Sequence, residues 1–260
     1  LGGNPGQAGE VPISRTPGVS VTTRVLRVLD AFSPEHAALS LSDLAHRADL
    51  PLTTAHRLVG ELAGWGALER GTDGRYRIGL RLWEVATLAP RGIGLRAAAM
   101  PFLEDLYEAT RQNVHLAVLD GTEAVYVERL SGRGAVRVIS RVGGRLPLHA
   151  TGVGLALLAH APAAVQEEVL SGVLHRYTAK TLTAPRALRR TLAEIRRTRV
   201  AISDGLLDLA ALSVAAPVTG PGGEVVAALS VVVPASHDAR VYTPAVLAAA
   251  RGVSRILRAA

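Results

Sequence analysis

The chain has no cysteine, one methionine and a single lysine, Lys180, and only 3% of its residues are aromatic. Without cysteine there is no disulfide framework, no thiolate zinc site and no cysteine nucleophile. Long apolar runs are also missing. The hydrophobic stretches are broken by charge or glycine, so no membrane span is expected. No basic-then-apolar leader opens the chain, which points to a cytoplasmic protein. The first residue is Leu1 rather than methionine, as in a processed or trimmed chain. There is no G-x-x-x-x-G-K-(S/T) phosphate loop. The run Gly152-Val153-Gly154-Leu155-Ala156-Leu157 lacks the third glycine of a dinucleotide fingerprint. No G-x-S-x-G elbow occurs. The eight histidines are scattered without H-x-H or H-E-x-x-H spacing, and nothing local ties Ser, His and Asp into a triad. These absences argue against an enzyme, a metal site and a cofactor.

What remains is a globular composition of 260 residues, 48% hydrophobic and 20% charged, enough for one large domain or two ordinary ones. Basic residues outnumber acidic ones 29 to 22, for a net charge of +7. All but Lys180 of those cations are arginines. A GC-rich genome would give the same bias, but guanidinium forks also suit phosphate and carboxylate. Residues 1–95 hold ten arginines against nine acids, so most of the excess lies further along. Basicity near the N-terminal half is local. Arginines 70, 75, 77, 81, 91 and 96 face only Asp73 and Glu84 over that stretch.

Residues 1–18 are rich in Gly and Pro and read as a flexible arm. A helical pattern then begins at Val19, with Val25, Leu26, Leu29 and Phe32 on one face and Ser33-Pro34 as its stop. Ser40 and Asp43 have the spacing of a capping box for a second helix. Leu50-Pro51 forces a turn. Thr53 is expected to cap a third helix, whose stripe is Ala55, Leu58, Val59 and Leu62 and whose end is Gly64-Trp65-Gly66. Strands at Leu68–Arg70 and Tyr76–Ile78 flank an Asp73-Gly74 turn. This order is that of a winged helix-turn-helix. A short helix at 80–88, a break at 90–94 and a long helix to about Arg111 follow. Beyond it, strands are expected at 114–119, 124–130, 136–142, 200–206, 212–216 and 225–233. Helices are expected from Gly152 to Ala161, after Pro162, over 185–199 and from about Thr243. The whole reads as α/β (α+β), divided into a DNA-binding domain at 19–90, a linker helix at 91–111 and a second domain at 112–260.

The third helix presents Thr53, Thr54, His56, Arg57, Gly60 and Glu61 on its open face. Small hydroxyl residues at a helix N-terminus allow close approach to a phosphate. His56 and Arg57 lie one turn on, where a recognition helix reaches base edges. Arg75 and Arg77 on the hairpin suit phosphates. Tyr76, between them, reads as a strand core residue. On the second domain, Gly152 and Val153 open a helix whose free N–H groups suit a carboxylate, and Gly152 would let a ligand come close. Strand alternation puts Ser230 and Val232 on one face.

The run LSLSDLAHRADLPLTTAHRLVGELAGWGALERGTDGRYRIGLRLWEV resembles the DNA-binding domain of IclR-type bacterial transcription regulators. The resemblance continues through VHLAVLDGTEAVYVERL, RVGGRLPLHATGVGLALLA and VAAPVTGPGGEVVAALSV. It implies a winged helix-turn-helix, a linker helix and a C-terminal effector domain of GAF or profilin-like type. It also implies a homodimer or dimer of dimers on double-stranded operator DNA, controlled by a small effector, often a carboxylate. By the same resemblance Asp204 and Ser213 join Gly152, Val153, Ser230 and Val232 around the effector. Leu52 stands where relatives often carry Lys. Ser213 stands for a Cys, Ala210 for a Gly and Val232 for a second Ser. The last change suggests room for an apolar or aromatic ligand tail. Two other readings remain: a sensor domain kept only for assembly, and a small α/β enzyme. The crowded apolar residues Leu80, Leu82, Trp83, Val85 and Leu88 exceed what one core face needs, so this helix and the linker helix are expected at a dimer contact.

Overall fold

The computed structural model describes residues 19–259, so the expected arm at 1–18 lies outside the described residues. The described residues form two compact units, one ending at Leu88 and the other beginning at Ala89.

The first unit contains α1 (Val21–Asp30), α2 (Leu41–Arg47), α3 (Leu52–Trp65), β1 (Leu68–Arg70), β2 (Tyr76–Ile78) and α4 (Leu80–Ala86). The Ser40–Asp43 capping box forms in both directions. The Asp43 N–H donates to Ser40 Oγ at 3.1 Å, and the Ser40 N–H donates to Asp43 Oδ2 at 3.0 Å. Asp49, at φ 53°, makes the turn between α2 and α3. Val28, Leu44, Val59, Leu68 and Tyr76 close the core. One expectation fails locally. Thr53 is not the cap of α3; Pro51 occupies that position with φ −57° and the helix already begins at Leu52. Pro51 has its φ pre-set by the ring and starts the helix without a side-chain cap. Gly66, at φ 85°, ends α3 in the left-handed conformation that glycine adopts without strain. The hairpin pairs Leu68 with Ile78 and Arg70 with Tyr76, as the Asp-Gly turn predicts.

The second unit opens with a π-type turn at Pro90–Gly94 that runs into α5 (Leu95–Thr110). Its six strands are β3 (Asn113–Asp120), β4 (Glu123–Leu130), β5 (Arg145–Pro147), β6 (Ala201–Asp204), β7 (Ala211–Thr219) and β8 (Val225–Pro234). They form one antiparallel sheet in the order β5-β4-β3-β8-β7-β6. Three helices, α6 (Gly152–His160), α7 (Ala163–Ser171) and α8 (Pro185–Thr198), are associated with one sheet face through one apolar cluster. The other face packs against α5 and α9 (Ala239–Ala259). Alternation on β8 divides the two cores: Leu229, Val231 and Val233 point to α5 and α9, while Ala228 points to α6. Both faces are therefore covered, and α6 is buried on all sides from Gly152 to Ala159.

The strand expected at 136–142 does not form; the strand on that side is β5, at Arg145–Pro147. Gly134 (φ 84°) and Gly143 (φ 73°) turn the chain in left-handed conformations on either side of it. Side chains hold the segment in place of a ladder. Asn113 Nδ2 donates to the Val136 carbonyl at 2.7 Å, and Arg129 Nη1 donates to the Ser140 carbonyl at 2.7 Å. The strand expected over 200–206 stops at Asp204 because Gly205 turns at φ 67°. The last helix begins at Ala239, ahead of the expected Thr243.

His115, on the central strand β3, is 3% exposed and its Nε2 lies 2.9 Å from Ser140 Oγ. Burial, helped by the nearby Arg129 guanidinium, pushes its pKa down to about 3. The folded protein keeps this imidazole neutral, whereas the unfolded chain protonates it below about pH 6.5. The group therefore contributes stability that is complete above about pH 6.5 and is lost as pH falls toward 3. Urea denaturation at pH 7 and pH 5 is expected to show the wild type losing about 2 kcal/mol more over this interval than His115→Asn. Equal losses would show that the imidazole is solvated in the folded state.

Candidate DNA-reading face and effector cavity

The first unit places Thr53, Thr54, His56 and Arg57 on the first two turns of α3, with Thr53, His56 and Arg57 exposed and Thr54 partly so. No side chain caps this end, so the N–H groups of its first turn are open to an anion and the helix dipole favours one. Arg57 Nη1 donates to Glu61 Oε1 at 2.6 Å, one turn away. On the hairpin, Arg77 pairs with Asp73 at 2.7 Å. Arg77 holds the Asp73 carboxyl below its ordinary pKa, first by this hydrogen bond, with further help from the Arg75 N–H. Arg75 Nη1 reaches the Ala38 carbonyl at 3.4 Å. Tyr76 is buried, with the Arg70 guanidinium 5.6 Å from its ring centre, which is the core role expected of it. Arg57 and Arg77 are thus exposed and held by exposed acids, a weak restraint that a phosphate or base edge can replace.

The second unit contains a partly open cavity where the start of α6 meets the sheet. Its wall on the sheet includes His115, Ser213, Ser230 and Val232; the start of α6 adds Gly152 and Val153. The irregular segment between β4 and β5 supplies Arg137, Val138, Ile139 and Ser140. Thr151 caps α6 by accepting from the Gly154 N–H at 3.1 Å, while its own hydroxyl donates to the Pro147 carbonyl at 2.9 Å. That cap leaves the N–H groups of Gly152 and Val153, at the wall, outside it. Ser230 is 1% exposed and its Oγ has no hydrogen-bond partner. Leaving a buried hydroxyl unpaired costs about 1–3 kcal/mol.

Five of the six expected effector residues, Gly152, Val153, Ser213, Ser230 and Val232, come together here. Asp204 does not. On β6 burial alternates, so Ser203 turns inward and donates to the Ala150 carbonyl at 3.2 Å, while Asp204 turns outward. Lys180 Nζ meets the Asp204 carboxylate at 3.0 Å. Gly152 also serves a different purpose from the expected one. A Cβ there would stand 2.9 Å from Ser213 Cβ and collide with Ser213 Oγ, so the glycine admits β7 rather than a ligand.

Sequence reasoning passed over His115, Tyr126, Arg137 and Asp208. His115 was detectable as the lone polar residue with an apolar neighbour on each side in Val114–Leu119 of the run VHLAVL. Tyr126 meets His115 edge-on at 5.2 Å, and burial raises its phenol pKa against the opposing effect of a hydrogen bond with Thr151. Arg137 was hidden in the segment read as a strand. It has no ion-pair partner among the described residues, and Asp208 supplies the acid of the wall, its Oδ1 accepting from the Ala210 N–H at 2.9 Å.

Two family models match the chain. The model for the C-terminal domain of the bacterial transcriptional regulator IclR covers residues 88–257, and the IclR helix-turn-helix domain covers residues 21–71. The HTH-type transcriptional regulator XynR of Escherichia coli (strain K12) is 33% identical over 216 residues, 82% of this chain and 86% of that protein. The transcriptional repressor IclR of the same organism is 31% identical over 227 residues, 84% and 81% of the two chains. Among solved structures, an IclR homolog from Microbacterium hydrocarbonoxydans complexed with 4-hydroxybenzoate is 42% identical, with a TM-score of 0.89 over 93% of this chain and 100% of that one. The Thermotoga maritima IclR structure is 27% identical, with a TM-score of 0.75 over 91% and 98%. With a helix-turn-helix unit, an effector unit and both family models in sequence order, the chain belongs to the IclR family of bacterial transcriptional regulators.

Proposed function

We propose that the protein binds operator DNA through residues 19–90 and a small carboxylate with an apolar or aromatic body through residues 112–260, with 91–111 as the linker. The observation that carries the ligand reading is Ser230, a buried hydroxyl without a partner at a cavity that also holds the open start of α6. Two backbone N–H groups and a hydroxyl donor form a cradle for a carboxylate. Val232, Val138 and Ile139 offer the apolar wall for the remainder. The 4-hydroxybenzoate bound to the 42%-identical relative has this chemistry and supports the reading. Operator DNA as partner implies action in the cytoplasm. No helix among the described residues is long and apolar enough to cross a membrane.

On DNA, His56 and Arg57 read bases, while Thr53, Thr54, Arg75 and Arg77 hold phosphates. Arg57→Ala is expected to weaken operator binding by about 1–3 kcal/mol with little change on random duplex. Arg77→Ala is expected to weaken both alike and to flatten the salt dependence. Fluorescence anisotropy with both duplexes at several salt concentrations tests the pair; equal losses for Arg57→Ala on operator and random DNA would remove its base-reading role.

For the effector, calorimetric titration with 4-hydroxybenzoate is expected to give one site per chain, about tenfold weaker in Ser230→Ala, as for the loss of one hydrogen bond. Asp204→Asn, outside the cavity, is expected to bind as the wild type does. Unchanged affinity in Ser230→Ala would move the carboxylate elsewhere. No binding of benzoates or aliphatic carboxylates would favour a sensor domain retained only for assembly.

The active form is a homodimer or dimer of dimers. On α4, Leu80 is 63% exposed and Trp83 60%, and Leu88 just beyond it is 80% exposed, an apolar surface left uncovered within its own unit. Two-fold pairing would cover it and double the DNA contact. Sedimentation at micromolar concentration is expected to show at least a dimer, shifted toward monomer in Trp83→Glu; a wild-type monomer would overturn this assembly.

A further inference from the structure

A second groove in the effector unit, of about 190 Å³, lies between α9 and β7. Pro217, Leu247 and Ala250 give it an apolar floor, and Arg199, Arg251 and Arg258 also line it. Leu247, Arg251, Ser254 and Arg258 recur at four-, three- and four-residue spacing, so they share one face of α9. Ser254 Oγ accepts from the Thr219 N–H at 2.9 Å and donates to the Ala250 carbonyl at 2.7 Å, pinning this face of α9 to β7. Arg199 sits at the C-terminal cap of α8 with φ 61°, a left-handed conformation uncommon for a residue other than glycine, and it is half-buried.

No acid lines the groove, and among the described residues none of Arg199, Arg251 and Arg258 has an ion-pair partner. Elsewhere α8 does neutralise arginines: Arg189 pairs with Glu167, and Arg197 with Glu194. The positive field extends beyond the groove, since Arg199 and Arg196 add to burial in holding the His160 pKa down. The groove also lies where the chain concentrates its charge. Residues 185–199 hold six arginines against Glu194, and residues 245–259 hold three arginines and no acid, whereas residues 1–95 are nearly balanced.

We propose that this groove is a second ligand site, for a small organic anion with at least two negative charges, of the phosphate-ester or nucleotide class. Three guanidinium groups without counterions overmatch a single carboxylate but suit a phosphate chain, whose oxygens accept forked, charge-assisted hydrogen bonds. The apolar floor suits a flat body such as a base. Unpaired arginines also suit a DNA backbone, so DNA is the competing occupant that the test must separate.

The test is calorimetric titration of the full chain with pyrophosphate, ADP and adenosine, comparing wild type with the double variant Arg251→Gln/Arg258→Gln. Pyrophosphate and ADP are expected to bind at one site per chain, ADP more tightly, with adenosine alone too weak to detect. Binding should weaken at least tenfold in the double variant and fall steeply with salt. Thermal melting and operator affinity of the double variant are expected to match the wild type, because Arg251 and Arg258 are exposed. Absence of binding by both pyrophosphate and ADP, or equal binding by the double variant, would overturn the site. Loss of operator affinity in the double variant would overturn it as well, by assigning these arginines to DNA.

Discussion

The burial of α6 on every side is the constraint from which the rest of the effector unit follows. A helix that is apolar all round cannot lie on a surface. It needs a sheet beneath it and other segments above, and the chain supplies both with β3, β8 and β7 below and α8 beside it. Glycine at 152 and 154 lets this helix approach closely. A side chain at 152 would strike Ser213 on β7, and one at 154 would stand 2.6 Å from Leu148 Cα. The first turn of α6 is thereby held against the sheet, with its N-terminal N–H groups beside the polar residues of β3, β7 and β8. The cavity is what remains where the contacting side chains are serines rather than leucines.

Features governed by neighbours in the chain were legible in the sequence. The Ser40–Asp43 box, the Asp73-Gly74 hairpin and the fully apolar helix after Thr151 each depend on residues within four positions, and each formed as read. Features decided by tertiary packing were less legible. Residues 136–142 alternate well enough for a strand, yet Asn113 and Arg129 reach across to hold their carbonyls as an irregular strap. Asp204 came from the family resemblance alone, which carries no information on which way a side chain faces; on β6 Ser203 takes the inward position and Asp204 the outward one. His115 needed no alignment to be noticed, only the question of why an imidazole sits in an otherwise apolar strand.

Charge in this chain is placed by use rather than by total. The net +7 says little about the DNA-reading unit, where Arg57 and Arg77 are each balanced by an acid four residues away. Those pairs are exposed and weak, so they orient the guanidinium groups without withholding them. The unbalanced arginines belong to α8 and α9 instead, where their mutual repulsion would favour any bound anion that relieves it.

Ser230 also bears on how a ligand could become a signal. Without ligand, the effector unit carries a buried hydroxyl that no protein atom satisfies. In the proposed reading, a carboxylate in the α6 cradle would remove that penalty, so the occupied form would be stabilised by more than the contact area alone would give. Stabilisation by itself regulates nothing: a ligand shifts DNA affinity only by the difference in its affinity for the DNA-bound and free states. A coupling of about 1–3 kcal/mol suffices for most switches, which is the scale of one hydroxyl gaining or losing its partner. In the proposed reading, the irregular strap would be the element that converts one into the other. It lines the cavity through Arg137, Val138 and Ile139, and it is tied to the sheet through the Ser140–His115 hydrogen bond rather than through a strand ladder. Side-chain hydrogen bonds from Asn113, Arg129 and His115, rather than a strand ladder, hold it, and two left-handed glycines flank it, so in the proposed reading it is the part of the cavity wall least fixed by backbone pairing.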